Sequence, residues 1–143
     1  MMYKVGDKLW RGPRPASFQD LKDLGVDVCI TLQSGAYEEF HDDHFEAEIA
    51  SDFGIEQVCI PCSDITAPKD HEVLKFLRSV DKAKLAYVHC LHGKDRTGFM
   101  CAVYRMQIQA FPFKNAVSEM FSFGFHKLPY LLWLPKLKKW EKR

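Results

Sequence analysis

The chain has 143 residues, of which 47% are hydrophobic, and its formal net charge is +1, from 20 basic and 19 acidic side chains. This composition excludes a wholly disordered chain, and the length predicts a single domain over 1–143. The even charge balance gives no general reason to expect binding to nucleic acid, so any affinity for a polyanion must come from a local cluster.

Helical patterns and short apolar runs alternate along the chain. A helix is predicted after a Ser17 cap, and others over 38–53, over 69–84 and from Thr97 onward. The C-terminal third predicts two or three more helices, interrupted at Pro129 and Pro135.

Three nearly continuous apolar runs, rich in the β-branched residues Val and Ile, are typical of buried strands. They are VDVCITL (26–32), IEQVCI (55–60) and LAYVH (85–89). Strands that alternate with helices predict an α/β fold with a compact, mostly parallel central sheet flanked by helices. In such sheets ligands bind at the carboxyl ends of the strands.

The sequence also indicates the cellular compartment in which we expect the protein. No run approaches the roughly 18 apolar residues of a membrane span, and the N-terminus lacks the apolar stretch of a signal peptide. The five cysteines are an odd number, which fits neither a disulfide framework nor a zinc site and favours free thiols in a reducing compartment. We therefore expect a cytoplasmic monomer, or a secreted or periplasmic protein if a leader was removed from a precursor.

The segment HCLHGKDRTG (89–98) joins the last predicted strand to a helix. Gly93 lets the backbone turn so that successive N–H groups face inward, and the helix directs its positive end at them. Such a nest of amides binds an anion and stabilises a thiolate at Cys90. Arg96 can hold two oxygens of a phosphoryl group in its planar fork, and Thr97 can donate its hydroxyl to the sulfur.

These residue types suit phosphoryl transfer. The Cys90 thiolate would attack phosphorus, and water would then hydrolyse the thiophosphoryl intermediate, with Arg96 stabilising the equatorial oxygens in both steps. No metal or other cofactor is required. Because the departing alkoxide needs a proton, the mechanism demands a carboxylic acid on another loop. Asp64, in IPCSDITAP (60–68) after the second central strand, is the predicted donor, with Asp70 as its rival.

The segment 89–98 also matches the pattern HCxxGxxR[ST], and on this motif the chain resembles the protein tyrosine phosphatase superfamily of cysteine-dependent phosphatases. The resemblance implies a strand, phosphate loop and helix in which Cys90 is the nucleophile and Arg96 the phosphate clamp. It implies Asp64 as general acid and then general base. We expect Thr97 to support the thiolate and His89 to support the loop.

Basic residues near the motif bear on the substrate. Lys94 matches a basic position of phosphoinositide phosphatases, and SDITAP is similar to the acid loop of tyrosine-phosphatase-like phytases. LWRGPRP (9–15) resembles a segment near the active site of small atypical phosphatases. The predicted substrate contacts are Leu91, His92, Gly93, Lys94, Asp95, Arg11, Arg14, Lys69 and Lys127. Such a basic cluster binds a substrate with several phosphates more tightly than one with a single phosphate. This favours inositol polyphosphates, including inositol hexakisphosphate, as substrates.

Two alternatives share this site. The first is a protein tyrosine or dual-specificity phosphatase with the same chemistry and a phosphoprotein partner. The second is a module that binds a phosphorylated partner without turnover. It is disfavoured because the predicted nucleophile, arginine and acid are all present.

Overall fold

The computed structural model describes residues 1–33, 43–90, 94–127 and 130–142. The predicted substrate contacts Leu91, His92 and Gly93 lie outside these ranges, as does Pro129.

The described strands form one sheet in the order β1-β2-β5-β3-β4. Their bounds are β1 Tyr3–Gly6, β2 Leu9–Gly12, β3 Val28–Thr31, β4 Glu56–Cys59 and β5 Ala86–His89. Strands β2, β5, β3 and β4 pair in parallel, and only the β1–β2 pair is antiparallel among the described strands. The predicted mostly parallel α/β sheet is therefore confirmed. The first two strands were not predicted, because each has four residues and ends at a glycine, with no continuous apolar run.

The helices lie between and after these strands. Their bounds are α1 Phe18–Leu24, α2 Asp43–Asp52, α3 Asp70–Lys82, α4 Asp95–Ile108, α5 Phe113–Ser122, a 3₁₀ helix Tyr130–Trp133 and α6 Leu134–Lys138. In the described ranges, no helix combines the length and apolar character that crossing a bilayer requires.

Local signals explain several helix ends. The Ser17 hydroxyl accepts a hydrogen bond from the Gln19 amide, as predicted for a cap, and Gly25 ends α1 with φ of 96°. Helix α4 begins at Asp95, slightly before the predicted start at Thr97. Pro135 lies in the first turn of α6, where a proline is tolerated, so it marks the change from the 3₁₀ helix to α6 and leaves no gap between them.

Side chains alternate between the two faces of the sheet. Ile30 and Val88 point to the larger core, which α3, α4 and α5 cover, while Cys29 and Tyr87 point to a smaller core that contains Leu21 of α1. Cys90 continues the face of Val88 and joins the larger core. The loops after β3, β4 and β5 therefore emerge at one edge of the sheet, which is the edge where a ligand is expected.

Candidate active site

Cys90 and Thr97 are in direct contact at the start of α4. The Thr97 hydroxyl donates a hydrogen bond to Cys90 Sγ over 3.1 Å, and both residues are buried. A hydroxyl that donates to sulfur stabilises negative charge there. His89 precedes the cysteine at the end of β5, and its Nδ1 lies 3.4 Å from the Cys90 carbonyl oxygen.

Arg96 connects α4 to the two neighbouring loops. Its side chain is only 5% exposed, and Nη1 donates to the Leu32 carbonyl over 3.2 Å and to the Cys62 carbonyl over 3.3 Å. The Cys62 amide donates to the same Leu32 oxygen over 3.1 Å. Arg96 is thus fixed between the loop after β3 and the loop after β4, which fits a guanidinium that meets an anion without first having to reorganise.

Asp64 lies on the exposed loop between β4 and α3. The Ser63 hydroxyl accepts hydrogen bonds from the Ile65 amide over 3.0 Å and from the Thr66 amide over 3.2 Å, so the loop makes a compact turn around the aspartate. Arg96 contacts this loop at Cys62, which brings the predicted acid loop beside the predicted phosphate loop. The rival Asp70 lies in the first turn of α3 and forms an ion pair with Lys139.

Asp95 makes contacts that the sequence did not reveal. Its carboxylate accepts hydrogen bonds from the His126 amide over 3.0 Å and contacts His126 Nδ1 at 2.9 Å. These bonds tie the beginning of α4 to the segment after α5. Asp95 was predicted as a substrate contact or as a residue that orients the loop or its neighbours, and its observed partners fit the second role. His126 carries no pattern in the sequence that would have identified it.

A cavity of about 620 Å³ lies beside the start of α4 and is lined in part by Arg11, Lys94 and Phe123. Lys94 is exposed, and its aliphatic stem packs on Gly124, whose φ of 95° and close neighbours favour glycine. Arg11 is only 1% exposed, and its guanidinium lies 4.3 Å from the centre of the Phe123 ring. The structure therefore brings Arg11 and Lys94 to one cavity, with Arg11 beneath it and Lys94 at its opening.

The other predicted basic contacts are dispersed. Arg14 lies near Cys29, which points to the smaller core on the opposite face of the sheet from Cys90. Lys69 caps α3, and its amide donates to Glu72 over 2.8 Å. Lys127 is exposed, and its Nζ lies 6.0 Å from the centre of the Phe121 ring. Of these three, none lines the cavity of Arg11 and Lys94 among its described lining residues.

A larger groove of about 810 Å³ runs along β4 and α3. Its described lining residues include none of the predicted site residues. We therefore assign the chemistry to the edge that holds Cys90, and not to the larger groove.

The cysteines of the described residues are free, as predicted. Cys59 and Cys62 have C-x-x-C spacing, so the expectation that the cysteines lack this spacing, which disfavoured a zinc site and a thiol redox enzyme, is wrong. Burial raises the pKa of Cys62 to about 12, so its thiol stays protonated near neutral pH and is a poor redox nucleophile. Arg96 and Cys90 both lie close enough to influence this thiol electrostatically.

Comparison with known proteins is consistent with this geometry. Residues 9–127 match a family described as "PTP-SAK: Swiss Army Knife protein, DSP-PTPase phosphatase domain". The dual specificity protein phosphatase TpbA of Pseudomonas aeruginosa is 39% identical over 59 residues, which cover 39% of this chain and 27% of TpbA. The chain thus matches well under two thirds of that relative's length.

Solved structures show the same fold over nearly the whole chain. The DUF442 protein of Shewanella putrefaciens CN-32 superposes with a TM-score of 0.79 and 26% identity, covering 99% of this chain and 93% of that one. The core catalytic domain of the S. cerevisiae PP-IP phosphatase SIW14 superposes with a TM-score of 0.76 and 21% identity, covering 96% and 88%. A cysteine-to-serine variant of P. aeruginosa TpbA in complex with pTyr superposes with a TM-score of 0.70 and 25% identity, covering 87% of this chain and 75% of that one. The family match spans most of the chain and includes the whole Cys90–Thr97 site, so this chain belongs to the DSP-PTPase family of phosphatase domains.

Proposed function

We propose that the protein is a cysteine-dependent phosphomonoester hydrolase that removes phosphate from inositol polyphosphates, including inositol hexakisphosphate. The observation that carries the proposal is a cavity lined by Arg11 and Lys94, in which Lys94 caps the same helix whose Thr97 hydroxyl contacts Cys90 Sγ. A monoester needs the cysteine site, and a substrate with further phosphates gains from positive charge immediately beside it.

The reaction proceeds in two displacement steps. In the first, the Cys90 thiolate attacks phosphorus, the bond from phosphorus to the ester oxygen breaks, and the Asp64 carboxyl gives its proton to that oxygen. In the second, the Asp64 carboxylate takes a proton from water, the water oxygen attacks phosphorus, and the sulfur–phosphorus bond breaks. Inorganic phosphate leaves and the Cys90 thiolate returns. Thr97 stabilises the sulfur, and Arg96 stabilises the phosphoryl oxygens in both steps.

The positive charges at the cavity favour binding of a substrate with several phosphates over a substrate with one phosphate. Lys94 immediately precedes α4, and Arg11 adds positive charge from beneath the same cavity. A Cβ at Gly98 would lie 3.8 Å from Arg11 Nη2, so this arginine packs under the first turns of α4 and close to the phosphate loop. A second phosphate on an inositol ring would meet the exposed Lys94 ammonium while the first reacts at Cys90, and the buried Arg11 would act on it through its positive charge without direct contact.

Two proteins of the same fold have descriptions that bear on the choice of substrate. SIW14 is described as a PP-IP (inositol pyrophosphate) phosphatase, which supports the inositol proposal. TpbA is described as a dual specificity protein phosphatase, and its structure contains pTyr. Phosphotyrosine is therefore the comparison substrate for the test.

The test measures phosphate release from inositol hexakisphosphate and from a phosphotyrosine peptide, side by side at mildly acidic pH. We expect turnover of the inositol substrate with a higher kcat/KM than the peptide, and loss of both activities in Cys90→Ser. Preferential release from the peptide would contradict the inositol proposal and favour a protein phosphatase. Absence of turnover with both substrates would favour a binding module.

A charge variant sharpens this test. Lys94→Gln removes the exposed charge of the cavity, and Lys84→Gln is the matched control because Lys84 precedes β5 at the opposite end of the strand from Cys90. One charge-assisted contact predicts a roughly 10-fold rise in KM for inositol hexakisphosphate in Lys94→Gln, with little change for the peptide. Equal effects on both substrates would show that Lys94 serves the phosphate loop and does not select a polyphosphate.

A further inference from the structure

Trp133 connects the C-terminal segment to the loop that carries the proposed general acid. It lies in the 3₁₀ helix Tyr130–Trp133 and is only 2% exposed. Its indole Nε1 donates a hydrogen bond to the Ile65 carbonyl over 3.0 Å, across 68 residues of sequence. Ile65 directly follows Asp64, so this bond holds the backbone next to the proposed acid.

The indole ring of Trp133 packs against two aromatic side chains of the core. It packs edge-on against Phe99, at a centroid distance of 6.1 Å, and against Phe125, at 5.7 Å. Phe99 belongs to α4, one turn beyond Arg96, and Phe125 immediately precedes His126, the partner of Asp95. One buried ring therefore bridges the acid loop and the helix that follows the phosphate loop.

The ends of the acid loop are buried at Cys62 and Ala67, but its tip is exposed. Asp64 is exposed, and the Ile65 side chain is 68% exposed, so neither side chain packs the loop into the core. The hydrogen bonds to Ser63 are local and set the shape of the turn, but they do not fix the turn relative to Cys90. The indole bond ties the turn to the core from outside the loop.

We propose that Trp133 is a positioning residue for proton transfer, and that it holds Asp64 at the leaving oxygen through the Ile65 carbonyl. This inference rests on the proposed role of Asp64. Trp133 lies beyond residues 9–127, which are matched by the family, so the C-terminal segment of this chain supplies the contact. A misplaced acid slows catalysis even when the nucleophile and the phosphate clamp are intact.

The test uses Trp133→Phe, which keeps an aromatic ring against Phe99 and Phe125 and removes the N–H donor. The matched control is Trp140→Phe, the same chemical change in the same segment, since the indole of Trp140 lies near Lys139 and not on the acid loop. Each variant is assayed with p-nitrophenyl phosphate, whose leaving group departs without a proton, and with an alkyl phosphate, whose leaving group needs one.

We expect Trp133→Phe to lose about 10-fold in kcat on the alkyl phosphate, as the loss of one hydrogen bond predicts, and less than about 2-fold on p-nitrophenyl phosphate. Vanadate should inhibit Trp133→Phe and the unmodified protein equally, because the phosphate loop is intact. In an Asp64→Asn background, the Trp133→Phe change should not lower kcat on the alkyl phosphate any further.

Several results would overturn the inference. Equal losses on both substrates, or weaker vanadate inhibition, would mean that Trp133 only supports the fold. No loss on the alkyl phosphate would mean that the indole bond does not position the acid. If Asp64→Asn itself shows no dependence on the leaving group, the inference fails while the phosphatase function stands. If the unmodified protein shows no Cys90-dependent turnover of p-nitrophenyl phosphate, the proposed function fails with it.

Discussion

Two strand–loop–helix units, β5–α4 and β4–α3, contribute to the candidate site, and they differ in how deeply they are buried. Every residue of β5 is buried, as are most residues of α4, including Arg96 and Thr97. In contrast, β4 is an edge strand with half-buried side chains, and α3 buries one face through Val73, Phe76 and Val80.

This difference separates two demands on the site. The central unit carries the proposed nucleophile Cys90 and the proposed phosphate clamp Arg96, which would meet the same phosphoryl group in every substrate and gain from rigid surroundings. The edge unit carries Asp64, which as the proposed general acid would meet whatever group departs. A fold of this kind can keep the phosphate site constant while the acid loop adapts to its substrate.

The largest expected effect falls on the central unit. Cys90→Ser should lower kcat by roughly 10⁴-fold or more, because removing a nucleophile abolishes the covalent route. Steady-state phosphate release checks this, with the thermal unfolding midpoint as a control for folding. Turnover close to that of the unmodified protein would refute the assignment of Cys90.

Stability should show a contrast between a buried side chain of α4 and an exposed side chain of α3. Met106→Ala in α4 should lower the free energy of unfolding by about 2–5 kcal/mol, because Met106 is fully buried. Leu74→Ala in α3 should change it by less than about 0.5 kcal/mol, since Leu74 is 40% exposed. Urea denaturation measures both values, and similar losses would show that the burial of these two side chains does not decide their contributions to stability.

Asp64→Asn should affect turnover according to the leaving group. We expect a loss of about 10²-fold or more in kcat on an alkyl phosphate, because general acid catalysis contributes on that order, and a much smaller loss on p-nitrophenyl phosphate. Asp70→Asn is the matched control, since Asp70 lies in the first turn of α3 and forms an ion pair with Lys139. A larger effect at Asp70 than at Asp64 would reverse the assignment of the acid.

The smallest effect is expected within the acid loop itself. Ser63→Ala removes the acceptor of the Ile65 and Thr66 amides, and a hydrogen bond worth about 1 kcal/mol predicts a loss of roughly 5-fold in kcat on an alkyl phosphate. Ser79→Ala removes a comparable hydroxyl in α3, which donates to the Lys75 carbonyl away from the loop, and should leave kcat unchanged. Equal kinetics for the two variants would show that the turn needs no support from Ser63.

The sequence predicted features that depend on local pattern. Strands β3, β4 and β5, the Ser17 cap and the junction of Cys90 with a helix follow from periodicity, capping chemistry and motif spacing. The burial of Arg11 did not follow, because a charged side chain beneath a helix depends on Phe123, which is distant in sequence. The bonds from His126 to Asp95 and from Trp133 to Ile65 likewise join residues that no local pattern relates.

The burial of the thiols has a practical consequence for covalent probes and inhibitors. Burial raises the pKa of Cys29 and of Cys62 to about 12 and also raises that of Cys101, so all three stay protonated and shielded from electrophiles near neutral pH. The remaining cysteines are Cys90 and the half-buried Cys59, at the edge of the sheet. An electrophile that carries a phosphate mimic should therefore label this protein at Cys90 and Cys59 alone, and a Cys59→Ser background would make the labelling stoichiometry a direct count of the Cys90 sites that bind the mimic.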